Sequence, residues 1–247
     1  MRVSWAICAF ALTAGSAVAA VPAPPRRPAD FLTAVAPPLP PPRPTELSPP
    51  PAPPPAPVAE RPENPAACDS WLASGEVEAT RRAPIAGPNG CGVEAPVALD
   101  AVILPDKRRV PIEPPPVLRC DFAAEAARWI AQDLVPSLEA GGERVVRLAG
   151  VGGYECRTRD RQPGAPMSEH AHGDAIDLTS VVFADGRVFS LASRANDLVL
   201  ASKLRASACE LFSTVLGPGA DGAHESHVHF DLEPRRHGGK ICEWDLR

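Results

Sequence analysis

The sequence predicts a disulfide-bonded α+β domain, with a small antiparallel sheet flanked by helices, behind an exported and proline-rich N-terminus. Three observations support this prediction. Proline and alanine dominate residues 21–66, helical and strand-like patterns follow them, and cysteines are spread through that second part. Helices and antiparallel strands that segregate along a chain are typical of α+β domains.

The first segment, residues 1–20, predicts a secretory signal peptide. Arg2 precedes an apolar run from Val3 to Leu12, and small residues follow up to Ala20. This order is typical of export signals, and the run is shorter than the roughly 18 residues needed to span a bilayer. No later stretch of the sequence is long enough either, so we expect an exported protein whose mature form has no transmembrane segment.

Residues 21–66 predict a disordered, proline-rich tether. Consecutive prolines occur at 40–42 and 53–55. Because proline fixes φ and lacks an amide donor, the segment favours polyproline II and cannot build a core. At about 3.1 Å per residue, it could hold the domain on the order of 100 Å from its N-terminus. A passive spacer and a docking site for a proline-reading partner are both compatible with this composition.

The cysteines predict disulfides. Removal of Cys8 with the signal leaves Cys68, Cys91, Cys120, Cys156, Cys209 and Cys242. Disulfides persist in oxidising compartments, so export favours pairing. The alternative, a cysteine zinc site, requires close pairs that this spacing lacks. The sequence does not separate the possible pairings of six thiols.

The domain itself, residues 67–247, contains two predicted helices. Asp121 can cap the first helix, which extends to Leu134 with one apolar stripe at helical spacing. The second is predicted from about Asn196 to Val215, before a Gly-Pro-Gly sequence that ends it.

Strands are predicted between and after these helices. The run from Val145 to Val151 is rich in β-branched residues and predicts a strand. Residues 175–189 predict a hairpin with its turn at Asp185 and Gly186. The alternation in residues 227–232 predicts a last strand.

The histidines form two clusters, each beside carboxylates. The first contains His170 and Asp177, and the second contains His224, His227 and His229. Neutral imidazoles and carboxylates are zinc ligands, and a catalytic zinc typically has three protein ligands and a fourth position for water. Gly173 lets the backbone turn between His170 and Asp177, so that both can approach one ion.

The second cluster lies on the predicted last strand. Residues two apart share one face of a strand, so His227 and His229 point to the same side. One of them can bind an ion while the other acts on substrate. By the same alternation Glu225 faces that side, which makes it a candidate general base.

The spacing of these residues resembles a known signature. Ser-x-His-x-x-Gly-x-Ala-x-Asp followed by His-x-His is similar to the signature of the zinc peptidases that include D-Ala-D-Ala carboxypeptidases and penicillin-insensitive murein endopeptidases. Its positions here are Ser168, His170, Gly173, Ala175, Asp177, His227 and His229. From Cys68 to Cys242, through residues 153–157 and 212–218, the domain also resembles the extensin-like C-terminal domain family of bacteria.

The resemblance implies a zinc peptidase core and a set of site residues. One zinc ion per chain is expected on His170, Asp177 and His229. Four residues are candidates for catalysis. His227 would lie beside the reacting water, and His224 stands where the endopeptidases have a further histidine. Glu225 is a further candidate, and Arg157 (or Arg159) is a candidate substrate contact. The sequence departs from the carboxypeptidases at Ser226, where they have a glutamate base.

The expected function is that of a zinc-dependent peptidoglycan peptidase of the D,D-carboxypeptidase or endopeptidase type. We expect it to act as a monomer on peptide stems, in the periplasm or envelope of a bacterium. The net charge of −5 argues against a nucleic-acid partner. The alternative, favoured by Ser226, is a non-catalytic peptidoglycan-binding or envelope-structural protein with a retained metal site. His227 discriminates between the two, because four protein ligands close a structural zinc site.

Overall fold

Residues 64–235 and 238–247 are described by a computed structural model of the chain, and they form a mixed α+β fold. The helices are α1 (Pro65–Leu72), α2 (Cys120–Trp129), α3 (Val135–Glu139) and α4 (Leu198–Leu211). The predicted signal peptide and nearly all of the predicted tether lie outside the described residues. Asn64 caps α1, which begins two residues before the predicted domain boundary at 67. In the described ranges, no helix has the length and apolar character to cross a membrane.

Most of the strands belong to one large sheet. The strands are β1 (Val77–Arg81), β2 (Ile85–Ala86), β3 (Gly92–Val93), β4 (Pro96–Ile103), β5 (Arg109–Glu113), β6 (Val117–Arg119), β7 (Val145–Gly152), β8 (Ala175–Phe183), β9 (Val188–Ser190), β10 (Thr214–Leu216), β11 (Val228–Asp231) and β12 (Ile241–Glu243). The sheet has the order β1-β4-β5-β7-β8-β11-β10-β12, with β6 beside β4 and β9 beside β8, whereas β2 and β3 pair separately.

The sheet differs from the small antiparallel sheet that the sequence predicts. It contains ten strands, and the pairs β5–β7 and β10–β12 are parallel. Strands β2 and β3 have two residues, and β6 and the final strand β12 have three, too few for a periodic pattern. The sequence therefore gives little signal for them.

The elements predicted by periodicity are confirmed, with changes at their ends. The first helix continues from α2 through a π-helical turn (Ile130–Leu134) into α3. The predicted strand and hairpin are β7 and β8–β9. The second helix is shorter than predicted, because Thr214 to Leu216 pair with β11 as β10. β11 is confirmed as a strand, but β12 follows it, so it is not the last.

The core orients the site through β11. Phe230 contacts Trp129 of α2 with ring centroids 5.0 Å apart, and Phe212 with centroids 5.2 Å apart. Val228 is also fully buried in this core. Because side chains alternate along a strand, His229 between these two residues projects from the opposite face. Packing of the core thus determines which way this histidine points.

Three disulfides confirm that the six cysteines pair. Cys68–Cys120 joins α1 to α2, Cys91–Cys156 joins the β2–β3 pair to the segment after β7, and Cys209–Cys242 joins α4 to β12. The Cα atoms of each pair lie 5.5 to 5.9 Å apart, an ordinary separation for this bond. The second disulfide ties down the segment that contacts the histidine site.

Candidate metal centre

His170 is held in a short 3-10 helix, Glu169–His172, with a defined cap at each end. The Ser168 side chain accepts a hydrogen bond from the backbone N–H of His170. Gly173 ends the helix with φ of 66°, and a Cβ atom there would lie 2.8 Å from the backbone nitrogen of Arg119. The predicted turn at Gly173 is confirmed, since only glycine adopts this conformation in this space without strain.

Asp177 and His229 face each other across the sheet. They are register partners in the antiparallel pair β8–β11. Ile176 and Leu178, the neighbours of Asp177, are buried in the core, so the carboxylate projects from the other face. The alternation of β8 and β11 therefore places both polar side chains on one side, next to His170.

Three ligand atoms converge at this point. Nε2 of His170 lies 3.1 Å from Nδ1 of His229 and 3.1 Å from Oδ1 of Asp177. Nδ1 of His229 lies 3.0 Å from the same Asp177 oxygen. The three predicted metal ligands are thus brought together, and their ligand atoms lie within 4.8 Å of one another.

The outer nitrogens of both histidines are already engaged. Nδ1 of His170 lies 2.7 Å from the carbonyl oxygen of Gly153, and Nε2 of His229 lies 3.0 Å from Oδ2 of Asp231. Both partners are acceptors, so these nitrogens carry the protons and donate. The inner nitrogens then direct lone pairs towards Asp177, and three acceptors meet with no donor between them.

Such an arrangement requires a positive charge at its centre. Burial lowers the pKa of His229, but hydrogen bonds to Asp177 and Asp231 outweigh burial and raise it to about 9. Burial likewise opposes ionisation of Asp177, yet the close approach of His170 and His229 holds the pKa of this carboxyl far below its usual range. A proton on His229 therefore satisfies the cluster when no ion is bound.

A zinc ion fits the same position. Nitrogen and oxygen ligands lie about 2.0–2.1 Å from zinc, so two ligands of a tetrahedral ion are about 3.3 Å apart. The observed separations of 3.0 and 3.1 Å are shorter by only a few tenths of an ångström. Gly153 and Asp231 supply the outer hydrogen bonds that usually orient metal-bound histidines. Donor types, spacing and outer contacts all suit a zinc ion.

His227 lies at the edge of this cluster. Its Nε2 is 3.5 Å from Oδ1 of Asp177, but it is not part of the group of converging ligand atoms. Burial is the largest influence on His227 and lowers its pKa, so the ring tends to be neutral near pH 7. His227 can therefore exchange a proton beside an ion held by the other three residues.

His224 lies on the other side of His227 and His229, with a carboxylate partner. Its ring centroid is 5.4 Å from that of His227 and 5.7 Å from that of His229. Its Nδ1 lies 2.7 Å from Oδ1 of Asp221. Asp160, Asp221 and His224 form a second group whose ligand atoms lie within 4.8 Å of one another. Asp221 was not among the predicted site residues, although an aspartate three residues before a candidate histidine is typical of a local cap.

Glu225 points away from the cluster. Its carboxylate accepts a hydrogen bond from the backbone N–H of Gly219 at 3.0 Å and lies 3.4 Å from Nη2 of Arg194. β11 begins only at Val228, so the alternation that placed Glu225 on the face of His229 does not extend to it.

A charged cleft of about 140 Å³ opens beside the cluster. Its lining includes Arg157, Arg159, Arg235, Asp160, Glu169, Asp221, Asp231, Glu233, His224 and His229. Arg157 pairs with Glu155 at 2.9 Å, and Arg159 pairs with Glu233 at 2.6 Å. Burial, followed by nearby carboxylates, raises the pKa of Glu169 to about 8. A larger cleft of about 400 Å³ lies beside Trp71 and α2, and none of the predicted site residues lines it.

The fold and the site define an α+β domain with three disulfides and a histidine–aspartate cluster that suits a metal ion. The family model described as extensin-like protein C-terminus matches residues 66–243, which is more than half of the chain. The chain therefore belongs to the extensin-like protein C-terminus family. No curated protein and no solved structure matches it.

Proposed function

We propose that the chain is a zinc-dependent peptidase that hydrolyses peptide bonds in peptidoglycan stems outside the cytoplasm. The observation that carries this proposal is the convergence of His170, Asp177 and His229, with both histidine tautomers set by outer acceptors. The three disulfides support an oxidising compartment. The choice of peptidoglycan rests on the resemblance of the motif to the zinc carboxypeptidases and endopeptidases.

The three converging residues would hold one zinc ion, while the residues around them orient the reaction. A bound zinc ion lowers the pKa of a water molecule towards about 7 and polarises a carbonyl. The neutral ring of His227, next to Asp177, takes a proton from the attacking water and returns it to the leaving amine. Arg157 and Arg159 offer guanidinium groups in the cleft for a substrate carbonyl or carboxylate.

A second candidate function is non-catalytic binding of peptidoglycan through the same site. Ser226 replaces the glutamate base of the carboxypeptidases, and the carboxylate of Glu225 is engaged by Arg194 and Gly219. Neither residue supplies a glutamate base to the cluster. In this alternative, the metal site binds a stem peptide without cleaving it.

The test uses the full chain, exported and oxidised, with zinc measured by mass spectrometry and muropeptide products followed by chromatography. We expect about one zinc per chain in the wild type, together with new cleavage products. His170→Ala and the nearly isosteric Asp177→Asn should lose both zinc and cleavage, because each removes a ligand. His237→Ala is the matched control, since the sequence places this histidine outside both clusters.

The outcomes separate the two functions. Zinc without cleavage in the wild type would support the binding protein, and a wild-type chain without zinc would refute the metal site. Disulfide content and a cooperative unfolding transition must be retained in both ligand variants. Asp177→Asn serves as the second variant if His170→Ala does not fold.

A further inference from the structure

The buried ring of His224 and the exposed carboxylate of Asp221 form a hydrogen-bonded pair beside the metal cluster. Oδ1 of Asp221 accepts from Nδ1 of His224 at 2.7 Å, from the backbone N–H of Ala223 at 2.8 Å and from the backbone N–H of His224 at 3.1 Å. His224 is 9% exposed. One carboxylate oxygen therefore fixes both the loop and the ring that the loop carries.

This contact determines which nitrogen of His224 carries the proton. A carboxylate is an acceptor, so Nδ1 must donate and the neutral ring keeps its lone pair on Nε2. Burial opposes ionisation of Asp221, but hydrogen bonds from His224 and Ala223 outweigh it and hold the pKa of this carboxyl below its usual range. A charged acceptor strengthens the bond relative to a neutral one.

The position of the pair suggests what the free nitrogen does. Asp221 and His224 both line the cleft that contains His229. Within the described part of the chain, no residue hydrogen-bonds Nε2 of His224. The carboxylate of Asp160 also lines this cleft, so Nε2 of His224 is one of several acceptors there that suit a ligand with hydrogen-bond donors.

We propose that Asp221 is a positioning residue that holds His224 in the Nδ1–H tautomer, so that Nε2 accepts a hydrogen bond from an N–H group of the substrate. The substrate class is a peptide with an amide N–H or an ammonium group near the scissile bond. The inference deepens the proposed function and rests on it, because it assumes that the cleft binds a stem peptide. It gives His224 a role in orienting substrate and leaves proton transfer to His227.

The hydrogen bonds also show which substitution isolates this role. In Asp221→Asn, the amide oxygen can still accept from the two backbone N–H groups and from Nδ1 of His224, so the loop is retained while the charge that strengthens the bond to the ring is lost. Asp197→Asn is a matched control, because the Asp197 side chain accepts from the backbone N–H groups of Val199 and Leu200 at the start of α4 and hydrogen-bonds none of the histidines that the structure describes. His224→Ala removes the ring itself.

The experiment measures the affinity of the zinc-loaded full chain for a muropeptide stem by calorimetry, and cleavage of the same stem. We expect Asp221→Asn to weaken binding about 10-fold, since a charge-assisted bond becomes a neutral one. His224→Ala should weaken binding at least as much, and adding Asp221→Asn to it should change affinity less than about twofold. Asp197→Asn should stay within about twofold of wild type.

Two further measurements identify the tautomer and the donor. Nitrogen-15 spectra of the histidine side chains should show the Nδ1–H tautomer for His224 in the wild type. A stem whose free amine is acetylated should bind as well as the unmodified stem if the donor is an amide N–H, and more weakly if it is an ammonium group. Weaker binding of the acetylated stem should then disappear in His224→Ala, which lacks the accepting nitrogen.

Several results would overturn the inference. They are an Nε2–H tautomer in the wild type, unchanged affinity in Asp221→Asn, or independent effects of the two substitutions. Two zinc ions per chain, with one lost in Asp221→Asn, would instead identify the group of Asp160, Asp221 and His224 as a second metal site. Binding without cleavage in the wild type refutes only the peptidase, whereas cleavage with unchanged affinity in Asp221→Asn refutes only this inference.

Discussion

Substitution of Asp231 by asparagine should weaken zinc binding without removing any metal ligand. Asp231 is 4% exposed, and its two carboxylate oxygens have different partners. Oδ1 accepts from the backbone N–H of Glu233 at 3.0 Å, and Oδ2 lies 3.0 Å from Nε2 of His229. An asparagine that keeps its oxygen on Glu233 must direct its NH₂ group at His229.

That orientation reverses the tautomer of His229. Nε2 would have to accept a hydrogen bond from the asparagine amide, and Nδ1 would carry the ring proton. A protonated Nδ1 has no lone pair to offer the ion. Loss of such an outer hydrogen bond typically costs about 10- to 100-fold in metal affinity, or about 1.4–2.7 kcal/mol. The opposite amide orientation leaves the Glu233 N–H without an acceptor, which costs about 1–3 kcal/mol of stability. Asp231→Asn therefore weakens either the site or the fold.

Zinc affinity is measured by competition with a chelator, and stability is measured by denaturant unfolding of the metal-free protein. Asp185→Asn is the control, because Asp185 lies in the β8–β9 turn and contacts Arg187 at the surface. It should leave zinc affinity unchanged. If Asp231→Asn matches the wild type in both measurements, the tautomer of His229 is not set by Asp231 and the argument for a lone pair at the cluster fails.

Three further predictions concern stability. Zinc at about 100 times its dissociation constant should stabilise the fold by about 2.7 kcal/mol and raise Tm by roughly 5–10 °C in calorimetry, an effect that His170→Ala should abolish. Without zinc, the raised pKa of His229 contributes stability that is fully present below its unfolded value of 6.5 and is lost as pH rises through about 9. The free energy of unfolding, measured from pH 6 to 10, should therefore fall. A profile that stays flat over this range would contradict the protonated cluster. Gly173→Ala should cost roughly 1–3 kcal/mol and weaken zinc binding, because φ is 66° and the new Cβ would lie 2.8 Å from the Arg119 nitrogen. Gly164→Ala, with φ of 78° and open space around the Cβ position, is the control that isolates the backbone strain in both unfolding and zinc titration.

The set of His170, Asp177 and His229 was expected from the motif resemblance, and local patterns encode much of the geometry that brings the three side chains together. The caps of the short helix at His170 and the alternation along β8 and β11 depend on neighbouring residues, which a sequence displays directly. Buried apolar neighbours on both sides of Asp177 and His229 then leave one face for both polar side chains. The pairing of the two strands was not predicted, because the motif resemblance implied only that their side chains share one ion.

The sequence analysis missed two partners of the histidines, Gly153 and Asp221. The hydrogen bond from His170 to Gly153 joins residues distant in the chain, which no local pattern records, whereas the bond from His224 to Asp221 spans only three residues and depends on how the loop before β11 folds. Glu225 shows the reverse case. Its assignment to the site assumed a strand where the chain is still a loop, and Arg194 and Gly219 engage its carboxylate instead.

The construction of the cluster explains why a metal ion should bind without a large rearrangement. His170 comes from a loop, whereas Asp177 and His229 come from paired strands, so their approach could be lost by a small shift between these elements. The hydrogen bond from His170 to Gly153 and the nearby Cys91–Cys156 disulfide restrict that shift. Much of the conformational entropy cost of ordering these three side chains is therefore met when the protein folds, which favours tight binding of a metal ion. The same rigidity brings three acceptors together in the metal-free protein, where a proton on His229 satisfies them, so we expect a proton and the proposed zinc ion to compete for one position.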